Sequence, residues 1–380
     1  MAIYMWRERP PRTFTISWTE WYSMSSGWTY SDDATWLTAG SWDFDDFFWY
    51  SAVLLNTSGV ETSEMTQSWW VFTWAMTTLW NITNGDNVMI KFPVRWIKMI
   101  KSWSTVTLSI TEELNKVWYQ YYAHSTWTLS NPWTPKDAFY LGAYKWYSSS
   151  NVIKSWSGQS PTAYQTQSTF ITRAKSNGSW YNIIGFYQRM FVNCLYMMKY
   201  GSPDSQTKVG KWYTGWSAVV NTGWTNSQTN ATYGTTSATQ QVKLFWLEDW
   251  WGNINETIGW MCTDGSKNLW TALSWFTWAI TTSSPYENTG TTIQVTSWNN
   301  LSSIVWSNKW LFAPIATVSN SSYNTYYCDN VEVNASYLAS AGGNRTNGSY
   351  NGIFLFRVDQ YVSGTYGSIG ARLMYLKWLT

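Results

Sequence analysis

At 380 residues the chain is long enough to bury a full hydrophobic core. With 12% charged residues and a net charge of +2, it has neither a basic stripe for phosphates nor an acidic tail, so no nucleic-acid partner is expected. Its three cysteines, Cys194, Cys262 and Cys328, lack a CxxC pair; they fit neither a disulfide framework nor a zinc site and read as small packing residues. No stretch approaches the ~18–20 consecutive apolar residues that a bilayer span needs, and the opening MAIYMWRERPPRTF lacks an apolar signal region. No membrane insertion is expected. The remainder, rich in Ser, Thr, Asn, Tyr and Gly, has the composition of an adhesin.

Residues 1–83 are turn-rich and aromatic, with a local acidic run at Asp43, Asp45 and Asp46, and are expected to serve attachment or assembly into a homotrimer or another homo-oligomer. From residue 84 onward the pattern sharpens into one α+β domain, 84–380. Val88, Ile90, Phe92 and Val94 alternate with other side chains, as do Val106, Leu108 and Ile110 with Thr105, Thr107 and Ser109, which predicts two strands of one sheet. The helical part runs from about Thr169 to Tyr200. Phe186, Met190, Cys194 and Met198 recur every four residues with Tyr187, Phe191 and Leu195 beside them, which predicts a buried helix capped at Gly201. After Ser202 the chain becomes long, polar and turn-rich, with short strand candidates such as 242–245 between ordered loops.

Tryptophan breaks the compositional pattern. The 33 Trp outnumber the 24 Gly, although Gly normally makes up ~7% of residues and Trp is among the rarest. Trp103, Trp127, Trp133, Trp216, Trp224 and Trp298 lie among Ser, Thr, Asn, Pro and Gly, in niches that turns usually give to glycine. Two explanations are open. In one, the source reads UGA as glycine and tryptophan stands in this sequence for glycine at many positions. In the other, the protein is a Trp-rich carbohydrate binder whose rings stack on sugars. The first predicts that these six rings are exposed in turns, whereas genuine Trp buries much of its ring.

Residues 247–256, LEDWWGNINE, resemble the GNVxEW signature shared by the formylglycine-generating (sulfatase-modifying) family and its C-type-lectin-fold relatives, with Gly252 and Asn253 in the tight turn and Thr257 where the family has Trp. Gly370-Ala371-Arg372-Leu373 resembles the GFR or GARL ending of that superfamily. Between them, the segment 342–372, GGNRTNGSYNGIFLFRVDQYVSGTYGSIGAR, is similar to the variable region of proteins targeted by diversity-generating retroelements. Gly342, Gly343, Gly348, Gly352, Phe354, Ser363, Gly370 and Arg372 match its scaffold positions. Asn344, Arg345, Thr346, Asn347, Tyr350, Leu355, Arg357, Asp359, Gln360, Tyr366 and Ser368 fall at the diversified, ligand-facing ones. NVMIKFPV, YYAHST, DAFYLGAYK and YMMKYGSP also resemble phage tail or prophage proteins of this type. Trp246 and Trp146 stand where those relatives have glycine.

The resemblance implies a C-type-lectin-like domain and a non-enzymatic receptor-binding protein, on a virion tail or a cell surface, whose partner is a cell-surface protein or glycan. The alternatives are a cell-encoded adhesin or sugar-binding lectin and an unrecognised hydrolase. The residues themselves point away from catalysis. His124 is the single histidine and no motif supplies a nucleophile for it to activate, so it is read as a packed structural residue, and no metal or cofactor is expected. The formylglycine-generating family uses a late cysteine pair, whereas Cys328 has no neighbouring cysteine. Glu248, Asp249 and Glu256 could pair as acids for glycoside hydrolysis, but their place inside a turn motif makes them fold-holding residues. In the variable segment, strand alternation predicts Phe354, Phe356 and Val358 inside, with Leu355, Arg357 and Asp359 outside.

Overall fold

A computed structural model of the chain describes residues 11–19, 29–32, 50–65, 85–126, 129–130, 132, 134–212, 218–238, 240–273, 282–293, 299–307, 311–318, 330–333, 338–361 and 363–376. The first strands are β1 (Thr13–Thr19), β2 (Thr29–Asp32), β3 (Ser51–Leu55), β4 (Glu61–Met65), β5 (Asn87–Pro93), β6 (Trp96–Ser102), β7 (Thr105–Thr111) and β8 (Ala138–Gly142). A small hairpin, β9 (Tyr147–Ser149) and β10 (Val152–Lys154), precedes helix α1 (Gln167–Lys175), strand β11 (Tyr181–Ile183), helix α2 (Phe186–Tyr200) and the single turn α3 (Ser205–Lys208). The remaining strands are β12 (Lys243–Leu244), β13 (Leu247–Glu248), β14 (Asn255–Thr263), β15 (Asn268–Thr271), β16 (Glu287–Thr292), β17 (Asn299–Ser307) and β18 (Leu311–Val318). They continue with β19 (Asn330–Val333), β20 (Leu338–Ala341), β21 (Phe356–Gln360), β22 (Ile369–Gly370) and β23 (Leu373–Tyr375). The architecture is α+β, mostly sheet with few helices. Among the described residues no helix is long and apolar enough to cross a membrane.

Three larger sheets organise the chain. A four-stranded sheet runs β2-β1-β7-β6, a six-stranded sheet runs β11-β23-β8-β5-β3-β4, and a nine-stranded sheet runs β16-β15-β14-β20-β21-β19-β17-β18, with β22 added beside β14. In the four-stranded sheet one face is apolar, with Phe14, Ile16, Val106, Leu108 and Ile110 buried. Its other face carries a ladder of hydroxyl pairs, Thr13 with Thr111 at 2.8 Å, Thr15 with Ser109 at 2.8 Å and Ser17 with Thr107 at 2.9 Å. This is the period-2 separation that alternating Thr/Ser and aliphatic residues impose.

Two expectations are corrected here. The strands β5 and β7 form where alternation predicts them but lie in different sheets: both edges of β5 are taken, by β3 and by β8, so β7 pairs with β6 and β1 instead. The division between residues 83 and 84 cuts through two sheets, because β1 pairs with β7 along its full length and every residue of β3 pairs with β5. The described strands before residue 84 complete the same core as those after it. Residues 43–46 of the acidic run lie outside the described residues.

Helix α2 forms where the four-residue repeat predicts and ends at Gly201, whose left-handed conformation (φ 57°) lets its N–H reach the Met197 carbonyl at 2.9 Å. Every residue from Phe186 to Lys199 is buried. On one side Phe191 meets Phe92 and Phe139 of the six-stranded sheet edge-on, at 6.4 and 5.4 Å between ring centres. On the other, Phe186 and Met190 line a small apolar cavity with Ile304, Phe354 and Phe356 of the segments around the nine-stranded sheet. The helix thus sits between two sheets, which explains why its apolar residues extend beyond one stripe.

Candidate functional site

The site is built on a buried ionic hub. Glu256, at the start of β14, is fully enclosed: its Oε1 accepts from Arg372 Nε at 2.7 Å and its Oε2 from Arg189 Nη1 of α2 at 2.8 Å, with Lys145 Nζ at 3.8 Å. Arg372 also donates to the carbonyls of Gly142, Ala143 and Glu248, and Arg189 to that of Trp250, whose ring it covers at 3.9 Å. Lys145 donates to the carbonyls of Gly252 and Ile254. Burial alone would raise the Glu256 pKa, but Arg372, Lys145 and Arg189 outweigh it and hold the carboxyl below its ordinary value. Burial lowers the Lys145 pKa to about 8 despite the opposing pull of Glu256 and Asp249. The LEDWWGNINE and Gly-Ala-Arg stretches, more than a hundred residues apart in sequence, meet at this ion pair.

The neighbouring acids are engaged in the same way. Glu248 accepts from the backbone N–H of Gly223 (2.6 Å) and Thr225 (2.8 Å) and from Thr225 Oγ1 (2.6 Å), and burial together with nearby Asp249 pushes its pKa up to about 7. Asp249 accepts from Trp212 Nε1, Gln241 Nε2 and Asn253 Nδ2, while Asn253 clamps Val220 through both its backbone groups. These carboxylates pin loops to the core. His124 is likewise enclosed, with Nε2 3.3 Å from the Phe92 carbonyl and its ring against Phe139 and Phe191; burial drives its pKa down to about 3. Cys194 and Cys262 are buried free thiols, and Cys328 lies outside the described residues. Among the described residues, no group of three or more His, Cys, Asp or Glu side chains could hold a metal ion.

The segment 342–372 starts from this hub. Gly342 and Gly343 both have positive φ, 86° and 74°. A Cβ on Gly342 would lie 2.8 Å from the Trp250 carbonyl, and one on Gly343 would overlap Asn351 Oδ1 at 1.9 Å, so neither position accepts a side chain. A compact turn follows: Asn344 Oδ1 accepts from the N–H and hydroxyl of Thr346, and Asn347 Oδ1 accepts from the Asn344 N–H. The chain then runs inward through Ile353, Phe354 and Leu355 and out along β21.

Registers across the nine-stranded sheet place Thr257, Ser340, Arg357 and Glu332 directly opposite one another on β14, β20, β21 and β19. Opposed residues share a face, so these four make a polar row across the sheet, with Asn255 and Asp359 two residues away along their strands. The opposite face carries Ile258, Ala339, Ala341, Phe356, Val358, Val331 and Val333, all buried. The row is closed at one end, where Gln167 of α1 donates to Thr257, and opens toward Arg357 and Glu332, 20% and 24% exposed. Arg357 bridges Glu332 (2.9 Å) and Asp359, which also accepts from Gln360 Nε2 (2.7 Å). Buried on this face, Ser340 Oγ and Asn255 Oδ1 have no hydrogen-bond partner within the described chain. Burial and the nearby Asp359 carboxylate raise the Glu332 pKa against the pull of Arg357. Tyrosines flank the region: Tyr361 (63% exposed) donates its N–H to Tyr366 Oη, and Tyr164 (69% exposed) donates its N–H to the Tyr366 carbonyl.

Of the residues expected to face a ligand, Thr346 is exposed, and Arg345, Asn347, Tyr350, Arg357, Asp359, Gln360, Tyr366 and Ser368 are partly exposed. Two are corrected. Asn344 is buried as the polar nucleus of its turn, with its carbonyl accepting from Asn351 Nδ2. Leu355 is fully buried, because β21 begins only at Phe356; Phe354 and Leu355 precede it in a turn and both point inward, so alternation holds from Phe356 onward. Hydrogen bonds join Asn344, Thr346 and Asn347 in one group and Arg357, Asp359 and Gln360 in another. Sequence reasoning missed Glu332, Ser340, Thr257 and Tyr164. The Val331-Glu332-Val333 alternation marks Glu332 as outward, but its pairing with Arg357 is a matter of register.

No protein-family model matches the chain, and no curated protein matches it.

Proposed function

We propose that this chain is a non-enzymatic receptor-binding protein with a C-type-lectin-like fold, whose segment 342–372 presents the binding surface. The observation that carries this reading is the division of labour in β21 and its neighbours. Phe356 and Val358 are locked into the core, while Arg357, Asp359, Gln360 and Glu332 share the opposite, partly open face with Tyr361 and Tyr366 beside it. Substitutions on such a face leave the packing intact, and a mixture of Arg, Tyr and short polar groups is what adaptable binding surfaces use. The hub at Glu256 and the two glycines hold the backbone from below, which is the rigid support that a changing surface needs. By resemblance, the surface is diversified by a retroelement, the protein is carried on a phage or prophage tail, and its partner is a cell-surface protein or glycan.

The test is to measure binding of the labelled chain to a glycan array and to a panel of whole cells, comparing the parent with the triple variant Arg357→Ser, Asp359→Ser, Gln360→Ala. Loss or change of the bound set with an unchanged melting temperature is expected. Equal binding by parent and variant to the same targets would place the binding surface elsewhere. Turnover of a glycan on the array would favour the hydrolase reading instead.

A further inference from the structure

Among the described residues, tryptophan is the commonest non-glycine residue in the left-handed region. Thirteen described non-glycine residues have positive φ, and four of them are Trp103, Trp118, Trp246 and Trp260, against three Asn. Asn is the residue that tolerates this region through its short polar side chain, whereas a bulky aromatic there is a genuine outlier.

Each of the four occupies a position with a specific demand for glycine. Trp103 and Ser104 are the two-residue loop between Ser102 and Thr105 of the β6–β7 hairpin, and only the first of them has positive φ (55°), the II′ pattern that puts glycine first. Trp118 (φ 70°) is the third residue of a turn closed by the Tyr119 N–H on the Lys116 carbonyl, the type II position reserved for glycine or Asn. Phe245 and Trp246, the loop of the β12–β13 hairpin, both have positive φ (50° and 67°), and the second residue of such an I′ loop is ordinarily glycine. Trp260 (φ 58°) lies where the β14–β20 register shifts between Ile258 and Cys262, a bulge of the kind that recruits left-handed glycine. At Trp103 and Trp118 the rings are 96% and 78% exposed, so no burial offsets the backbone penalty.

A second group of tryptophans behaves in the opposite way. Trp212, Trp250 and Trp251 are buried to within 1%, and their indole N–H groups donate to Asp249 Oδ1 (2.8 Å), Asn193 Oδ1 (3.0 Å) and the Gly210 carbonyl (3.2 Å). These sites use the whole ring and its donor. Trp246 and Trp260 are buried as well, 2% and 5% exposed, so these two differ from Trp212, Trp250 and Trp251 in backbone conformation alone. Two populations of one residue type, separated by φ, are what results when two codons with different meanings are written as the same letter.

We infer that the protein made in its own source carries glycine at positions 103, 118, 246 and 260, encoded by UGA, and tryptophan at 212, 250 and 251, encoded by UGG. The full-length chain is then made only where UGA is a sense codon. Of the six tryptophans singled out by sequence context, Trp103 and Trp224 are described and exposed, as this requires, while Trp127, Trp133, Trp216 and Trp298 lie outside the residues whose side chains are described.

The experiment is tandem mass spectrometry of the protein isolated from its native source, with the codons read from the same material. Glycine residue masses at 103 and 118 with UGA codons there, and tryptophan masses at 212, 250 and 251, are expected; a tryptophan mass or a UGG codon at 103 and 118 overturns the inference. An independent arm compares the recombinant Trp-containing chain with Trp103→Gly and Trp118→Gly. Each variant should raise the folded-to-unfolded ratio about fivefold or more, the size of a left-handed penalty removed without loss of burial. A fall in that ratio for both would show that these rings belong where they are.

Discussion

Replacing Glu256 by Gln removes the carboxylate that pairs with Arg372 and Arg189 and lies 3.8 Å from Lys145 inside the hub. All four side chains are 0% exposed, so water cannot take over the lost countercharge. Breaking one partner of a buried ion pair costs about 3–5 kcal/mol. Here the lower part of that range applies, because Arg372 keeps carbonyl acceptors at Gly142, Ala143 and Glu248, Arg189 keeps that of Trp250, and Lys145 keeps those of Gly252 and Ile254. A loss of about 3 kcal/mol, a shift of roughly a hundredfold in the folding equilibrium, is therefore expected for Glu256→Gln by urea denaturation at neutral pH. Arg372→Met should cost at least as much, since it also strips three carbonyls of their donor. The double variant should cost clearly less than the sum, because the two changes remove one shared interaction. A loss below about 1 kcal/mol for Glu256→Gln, or strict additivity in the cycle, would refute the reasoning: the hub would then be open to solvent rather than the closure that joins β14 to the Gly-Ala-Arg turn.

Phe356→Ala should cost on the order of 3–5 kcal/mol, because the ring is 3% exposed, whereas Thr346→Ala on the exposed turn should stay within ~0.5 kcal/mol; thermal denaturation of both variants separates core from surface. Gly343→Ala should prevent the 342–347 turn from forming in its present shape, read as loss of stability larger than the ~1–2 kcal/mol of a left-handed alanine, since its Cβ also meets Asn351 Oδ1. His124 should make the protein acid-sensitive. Its folded pKa of about 3 lies below the ordinary 6.5, so between those values the unfolded chain binds the extra proton and its contribution falls as pH drops, at up to about 1.4 kcal/mol per pH unit. Its contribution is complete above pH 6.5 and level below about 3, and His124→Gln should flatten the slope in that window; an unchanged slope would assign the acid sensitivity to other groups.

Local pattern alone was enough for several features. The four-residue apolar repeat of α2 and the glycine behind it specify a helix and its end, because both signals act within one or two turns of chain. The alternation of β7, and of β21 from Phe356 onward, specifies which side chains share a face, since the pleat is a local property. The turn occupied by Trp103 was legible for the same reason, since a tight turn announces itself in its own few residues, whereas Trp246 was marked only by resemblance.

Which strands pair was decided by the tertiary structure. Whether β5 and β7 share a sheet depends on which edges β3, β8, β6 and β1 have already taken, and no neighbouring residue carries that information. Leu355 was assigned outward because the sequence does not say at which residue a strand begins, and a start at Phe356 puts Phe354 and Leu355 in the core together; Asn344 was assigned outward by resemblance, and its burial follows from the hydrogen bonds of its own turn. The polar row from Thr257 through Ser340 and Arg357 to Glu332 draws on four strands spread over a hundred residues, aligned by register alone. The meeting of Glu256 with Arg372 across 116 positions is of the same kind. Each partner carries a charge that the sequence displays, but desolvation and ion pairing arise only when the folded chain excludes water and brings the two together, and that is a property of the assembled sheets.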